Sequence, residues 1–324
     1  MWLPSLAVIA GLAVLTWSAD RFVLGAAGLA RTLGVTPLLI GLTVVAFGTS
    51  APEIIISVLA SLQGSPGLAV GNAIGSNIAN IGLVLGVAAL IAPLTVASRV
   101  LRREFPVLLA VTLLGFLLLA DGVLGVRDGL VLLAGLLLLT VWLVWQGMAQ
   151  NGEVNPLATE VEESLPPGLS LPMALFWLLL GLVLLLLSSR TLVWGAVEIA
   201  QALGVSELVI GLTIVAIGTS LPELAASVAA ALKGENDLAI GNIVGSNLFN
   251  LLAVLAIPGI LAPAAVENAV VFRDYPLMLG LTVLLFIFAL TRGREAGQIH
   301  RWQGAMLLGL FAGYLALLGW SSVS

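Results

Sequence analysis

The chain has 324 residues, 60% of them hydrophobic and only 9% charged, with a formal net charge of −5 and a mean hydropathy of +1.17. A soluble domain carries about 25% charged residues, so this chain lacks the charge to coat a water-facing surface; a soluble multidomain protein is excluded and no nucleic-acid partner is expected. It contains no cysteine and a single histidine, His300, which removes disulfides, thiolate metal centres and redox motifs.

Taken in order, the first apolar stretch, Leu3 to Trp17, has no basic segment before it and no small-residue cleavage site leading into polar sequence. It reads as a retained membrane span rather than a signal peptide. Apolar runs of the length a bilayer requires, roughly 17–25 residues, then place five spans near 3–30, 36–61, 68–92, 104–120 and 129–147. Gln150 to Leu171 is polar, holds Glu153, Glu160, Glu162 and Glu163, and carries Pro156, Pro166 and Pro167; such a segment is a linker. Five further spans fall near 173–200, 206–231, 238–262, 272–290 and 303–320.

The two sets are copies of one unit. GLTVVAFGTSAPE at Gly41 to Glu53 returns as GLTIVAIGTSLPE at Gly211 to Glu223, and GNAIGSNIAN at Gly71 to Asn80 returns as GNIVGSNLFN at Gly241 to Asn250. Both pairs are offset by 170 residues, and 41–80 matches 211–250 at 23 of 40 positions without a gap. The expected division is a first five-helix repeat over 1–149, an acidic linker over 150–171 and a second repeat over 172–324. Five is odd, so the second repeat enters the membrane from the opposite side. The fold class is therefore an all-α polytopic membrane protein, with ten transmembrane helices arranged as two inverted five-helix repeats.

Lys and Arg positions orient the whole. The side opposite the termini holds Arg21, Arg31, Arg99, Arg102, Arg103, Lys233, Arg292, Arg294 and Arg301, against Arg127, Arg190 and Arg273 on the terminal side. Nine against three puts both termini outside and the 150–171 linker in the cytoplasm.

Glu53 and Glu223 lie well inside spans, where a carboxylate costs about 2.5–3.5 kcal/mol even on lenient scales. Glu104, Glu198 and Glu267, near span ends, suit an interfacial position instead. In Gly-Thr-Ser-x-Pro-Glu, Pro52 has no N–H and clashes with the turn before it, and Gly48 lowers the cost of leaving helix geometry. The span should break there, exposing carbonyls around Ala46 to Gly48 beside the hydroxyls of Thr49 and Ser50, with Glu53 opening the next half-helix at its positive dipole end. Thr219, Ser220, Pro222 and Glu223 repeat the device. Asn72, Ser76 and Asn80, spaced by four, share one helical face, as do Asn242, Ser246 and Asn250; packing between helices competes with a site role most strongly for Asn72 and Asn242. Carboxylate, hydroxyl, amide and carbonyl oxygens are hard donors suited to Ca²⁺, Na⁺ or Mn²⁺. Two glutamates carry two charges, matched by one Ca²⁺ or two Na⁺.

At these residues the sequence resembles the calcium/cation antiporter superfamily, most closely the prokaryotic sodium/calcium exchangers. GTSAPE with GNAIGSNIAN, and GTSLPE with GNIVGSNLFN, match the two signature repeats of that family. The resemblance implies alternating-access exchange of calcium for sodium in a prokaryotic inner membrane, with Ca²⁺ and Na⁺ as transported ions and no cofactor. It implies that Glu53 and Glu223 share the calcium site. Thr49, Ser50, Ser76, Thr219, Ser220 and Ser246, with the carbonyls of Ala46 and Ala216, would complete the calcium and sodium sites, and Asn80 and Asn250 would line the middle. The long first and sixth spans would slide across the rest. Some exchangers carry Asp at the position of Asn250, a departure that bears on the central sodium or proton contact and the coupling ratio.

Three rivals follow from the same residues. Proton coupling, with calcium or manganese as substrate, keeps the fold and the site. A passive cation channel suits broken, inverted helices less well than an occluding transporter. An intramembrane enzyme lacks a histidine or lysine at membrane depth to activate the Thr or Ser of either Gly-Thr-Ser. The bilayer is the expected environment and no obligatory protein partner is evident.

Overall fold

In hydrocarbon every backbone N–H and C=O needs an internal partner, and long apolar runs meet that demand as helices. The computed structural model describes residues 2–150, 169–204, 216–290 and 297–321. Most of the expected linker, residues 206–215 of the expected seventh span, and Arg292 and Arg294 lie outside the described residues.

Along the first half run α1 (Trp2–Leu33), α2 (Pro37–Thr49), α3 (Ala51–Leu62) and α4 (Pro66–Ile91), then β1 (Leu94–Val96), α5 (Glu104–Leu119), β2 (Val123–Leu124) and α6 (Val126–Gln150). The second half contains α7 (Leu171–Ala202), α8 (Ala216–Thr219), α9 (Leu221–Leu232), α10 (Asn236–Leu261), β3 (Ala264–Ala265), α11 (Val270–Ala289), β4 (Gly297–Ile299) and α12 (Arg301–Ser321). Among the described residues seven helices are long and apolar enough to cross a membrane, and α2 with α3 makes an eighth, broken one. Helix α5, of 16 residues, falls just below that length.

The break expected at the Gly-Thr-Ser-x-Pro-Glu sequences is present in both halves. α2 and α3 meet at 44°, and Ser50, at φ −81° and ψ 7°, stands outside helical geometry between them. Ser220 does the same between α8 and α9, at φ −89° and ψ 5°. A second distortion was not read from the sequence: π-helical turns occupy Asn80–Leu85 in α4 and Asn250–Val254 in α10, starting on equivalent residues.

Loops of the two halves are stitched together. β1 pairs antiparallel with β4, Leu94 opposite Ile299, and β2 pairs with β3, Val123 opposite Ala265. Lys233 to Asp20 at 2.6 Å and Arg31 to Glu235 at 3.5 Å tie α1 to the turn between α9 and α10.

α1 and α7 pack along one another through glycines that let the backbones approach. A Cβ built on Gly181 would lie 2.6 Å from Phe22 N, and one on Gly11 would lie 3.0 Å from Leu192 Cβ. These are one contact seen twice, with the halves exchanged. Overpacking of this kind costs about 1–3 kcal/mol, so Gly181→Ala should lower the melting temperature in detergent by about 3–8 °C. Gly280→Ala, whose added Cβ meets nothing within 4 Å, should leave it unchanged. Equal melting of the two variants would contradict the close-packing account.

Of the three glutamates expected at the interface, Glu198 and Glu267 are exposed. Glu104 is not: only 2% exposed, it lines a small cavity of about 60 Å³ with Thr36, Gln146 and Asp237. Its place near a span end indicated water, but packing of α6 and α10 over that end removes it from water.

Candidate ion-binding site

Each broken helix delivers a glutamate from its second piece into the protein interior. Glu53, in the first turn of α3, and Glu223, in the first turn of α9, are each 1% exposed. The charge of Glu223 reaches the Glu53 carboxylate. Two buried like charges persist only where other groups compensate them.

Those groups come from both halves. Ser50 Oγ donates to Glu223 Oε1 at 3.2 Å, so the break in the first half serves the carboxylate of the second. Thr49 Oγ1 donates to Asn242 Oδ1 at 3.1 Å, and Ser76 lies beside the Glu53 carboxylate. Asn72 Nδ2 donates to the Glu53 carbonyl at 3.1 Å, and Asn242 Nδ2 to the Glu223 carbonyl at 3.3 Å and to Ser227 Oγ at 2.9 Å. The Ala46 carbonyl accepts from Ser50 N at 3.0 Å and from Thr49 Oγ1 at 3.4 Å. Ala216 opens α8. Asn80 Nδ2 donates to Asn247 Oδ1 at 3.1 Å.

Four further oxygens are shielded from solvent without a hydrogen-bond partner: Oε2 of Glu53, Oε2 of Glu223, Oγ of Ser220 and Oγ of Ser246. Buried acceptors left unpaired are costly. Carboxylate and hydroxyl oxygens of this kind are the donor set of a hard cation that has shed its water.

Two cavities reach this region from one end of α3. The first, of about 330 Å³, is lined by Asn72, Ser76, Thr219, Asp274 and Tyr314 among others. The second, of about 380 Å³, runs past Pro52, Ser189, Arg190, Gly218, Thr219 and Pro222. Thr219, which is half-buried, lines both. At the opposite end of the broken span, beside Thr36, lies the 60 Å³ cavity containing Glu104.

The family model described as "Sodium/calcium exchanger protein" matches residues 4–145 and 173–320. The chain belongs to the sodium/calcium exchanger family. It is thus a membrane transporter of a cation-antiport family. Among curated relatives it is 51% identical to the putative antiporter CaxA of Alkalimonas amylolytica, over 98% of this chain and 99% of that protein. It is 44% identical to the inner membrane protein YrbG of Escherichia coli strain K12, over 99% and 98%. Solved structures of the sodium-calcium exchanger NCX_Mj superpose with a TM-score of 0.82 at 36% identity, covering 97% of this chain and 98% of that one.

Sequence reasoning missed five side chains around the site: Ser57, Asn77, Ser189, Ser227 and Asn247. Ser57 Oγ donates to the Val254 carbonyl at 2.8 Å, fastening α3 to the π-turn of α10. Ser189 Oγ donates to the Gly218 carbonyl at 3.1 Å, at the second break. Asn77 Nδ2 donates to the Asn247 carbonyl at 3.2 Å. Ser57 with Ser227, and Asn77 with Asn247, are identical across the two copies, and that identity was the signal available for them.

Proposed function

We propose that this family member exchanges calcium for sodium by alternating access, with Glu53 and Glu223 sharing one cation site. The observation that carries the reading is the hydrogen bond from Ser50 of one half to Glu223 of the other, beside the equally buried Glu53. Two charges so placed are neutralised by one Ca²⁺ or two Na⁺. Competition for the same oxygens then makes exchange obligatory, because an empty site would carry unpaired buried carboxylates through reorientation. Thr49, Ser50, Ser76, Thr219, Ser220 and Ser246 with the Ala46 and Ala216 carbonyls furnish the ligand oxygens, and Asn80 and Asn250 line the centre.

The same reading assigns ten spans in two inverted repeats, 1–149 and 172–324, joined by the 150–171 linker. Ten crossings put 94–96 and 297–299 on one face, 123–124 and 264–265 on the other, and Arg31 on the face of Glu235. All three pairings obey that parity. The Lys and Arg distribution favours termini outside and the linker in the cytoplasm, and the two larger cavities then open outward.

The test is calcium uptake into sodium-loaded liposomes carrying the purified protein. Uptake is expected only on dilution into sodium-free buffer, and to collapse when sodium is present on both sides. Calcium uptake that ignores sodium and follows an imposed pH step would transfer the coupling role to protons. Discrete single-channel conductance in a planar bilayer would replace the antiporter by a channel.

A further inference from the structure

Four carboxamides meet where α4 and α10 cross: Asn77, Asn80, Asn247 and Asn250, none more than 1% exposed. Two hydrogen bonds join three of them, Asn77 Nδ2 to the Asn247 carbonyl at 3.2 Å and Asn80 Nδ2 to Asn247 Oδ1 at 3.1 Å. Residues 77 and 247 are equivalent in the two copies, as are 80 and 250, so the first bond joins a residue to its own counterpart. It marks the axis that relates the halves.

Exchanging the halves turns these bonds into two others, Asn247 Nδ2 to the Asn77 carbonyl and Asn250 Nδ2 to Asn77 Oδ1. The side-chain atoms those bonds require are Asn247 Nδ2, Asn250 Nδ2 and Asn77 Oδ1. All three are buried without a hydrogen-bond partner, and the fourth unpaired amide atom of the cluster, Asn250 Oδ1, belongs to the same unbound carboxamide. Unpaired amide atoms in an interior call for a physical reason. Here the atoms left over are the donors and the acceptor of the exchanged set.

We infer that Asn77 and Asn247 are positioning residues of an amide switch, in which the Asn80–Asn247 bond of this state gives way to an Asn250–Asn77 bond in the state open to the opposite face. In each state one of Asn80 and Asn250 has its carboxamide oriented and the other is released, so the centre of the cation path is set by whichever side is open. The switch rests on the alternating-access reading above.

Because the chain has no cysteine, a single Gly75→Cys can report the state. Gly75 lines the 330 Å³ cavity, and a Cβ there meets nothing within 4 Å. Its rate of reaction with a water-soluble methanethiosulfonate follows the fraction of protein with that cavity open. Asn77→Asp keeps Oδ1 but loses the donor of a bond of the present state, so it should slow labelling about threefold, the population shift expected from one buried hydrogen bond. Asn247→Asp keeps both acceptors and loses only the donor of an exchanged bond, so it should speed labelling, by up to that factor. Both add one carboxylate at equivalent positions, so added charge or general loosening moves the two alike, and only the switch separates their directions. Asn80→Ala and Asn250→Ala form a second pair without added charge, expected to slow and to speed labelling in turn, and they decide the matter where the aspartate variants do not fold. Shifts in the same direction within each pair, or none, alongside normal wild-type calcium flux, overturn the switch. Wild-type liposomes without calcium flux would remove the antiport reading itself, and the switch with it.

Discussion

Glu53→Gln and Glu223→Gln should each abolish sodium-dependent calcium uptake, with calcium affinity falling by nearly a thousandfold. Glutamine matches glutamate in shape, and in Glu223→Gln the side-chain oxygen can still accept from Ser50. What it removes is one of two negative charges in a dehydrated interior. A unit charge and a divalent ion about 4 Å apart at an effective dielectric near 20 attract by about 8 kcal/mol. Desolvating the ion consumes part of that attraction, yet half of it still corresponds to nearly three decades in affinity. The fold should survive, since each variant lowers the buried like-charge repulsion, so melting temperature in the absence of calcium should hold or rise. Loss of uptake with a retained or raised melting temperature is the expected pair of results. Glutamine variants that transport at the wild-type rate would remove both residues from the cation site.

The second large effect is expected at Asn242. Its carboxamide accepts from Thr49 Oγ1 and donates to Ser227 Oγ and the Glu223 carbonyl, and the residue is 1% exposed. Asn242→Ala leaves all three partners buried, at about 1–3 kcal/mol for each that finds no substitute. We expect a loss of about 3–5 kcal/mol, read as a lower thermal inactivation midpoint in detergent. Asn72, its counterpart, holds only the Glu53 carbonyl and lines the open cavity, where water can replace the amide. Asn72→Ala should therefore cost about 1 kcal/mol. Equal losses at the two positions would show that the Thr49–Asn242 bond does not join the halves energetically.

The contrast between these two asparagines shows where the sequence stops being informative. Identical neighbours at 72 and 242 assign them one role, and a packing role competed for both. The difference arises from what faces them: Asn242 meets Thr49 across the interface of the halves, while Asn72 meets a cavity. The positions of Glu53 and Glu223 were legible because a carboxylate inside an apolar span has few physical excuses. The breaks at Ser50 and Ser220 were legible because proline and glycine act locally. The limits of the described long helices were legible for a similar reason, since helix length is set by bilayer thickness. The π-turns at Asn80 and Asn250 were not: a spacing of four reads as one helical face and says nothing of an extra residue in the turn. Burial of Glu104 was hidden in the same way, since nothing near it in the chain announces Gln146 or Asp237.

The strand pairs on the two faces have a consequence for biosynthesis. Leu94 finds its partner Ile299 only after 205 further residues have been made, which at 5–20 residues per second takes about 10–40 seconds. Through that interval the emerging half holds a strand edge without its ladder, and for about the first half of it a glycine face on α1 without α7 and a Ser50 hydroxyl without Glu223. Contacts so distant along the chain form late and slowly. The first half therefore waits in the bilayer as an unfinished surface until β4 and α12 arrive to close it.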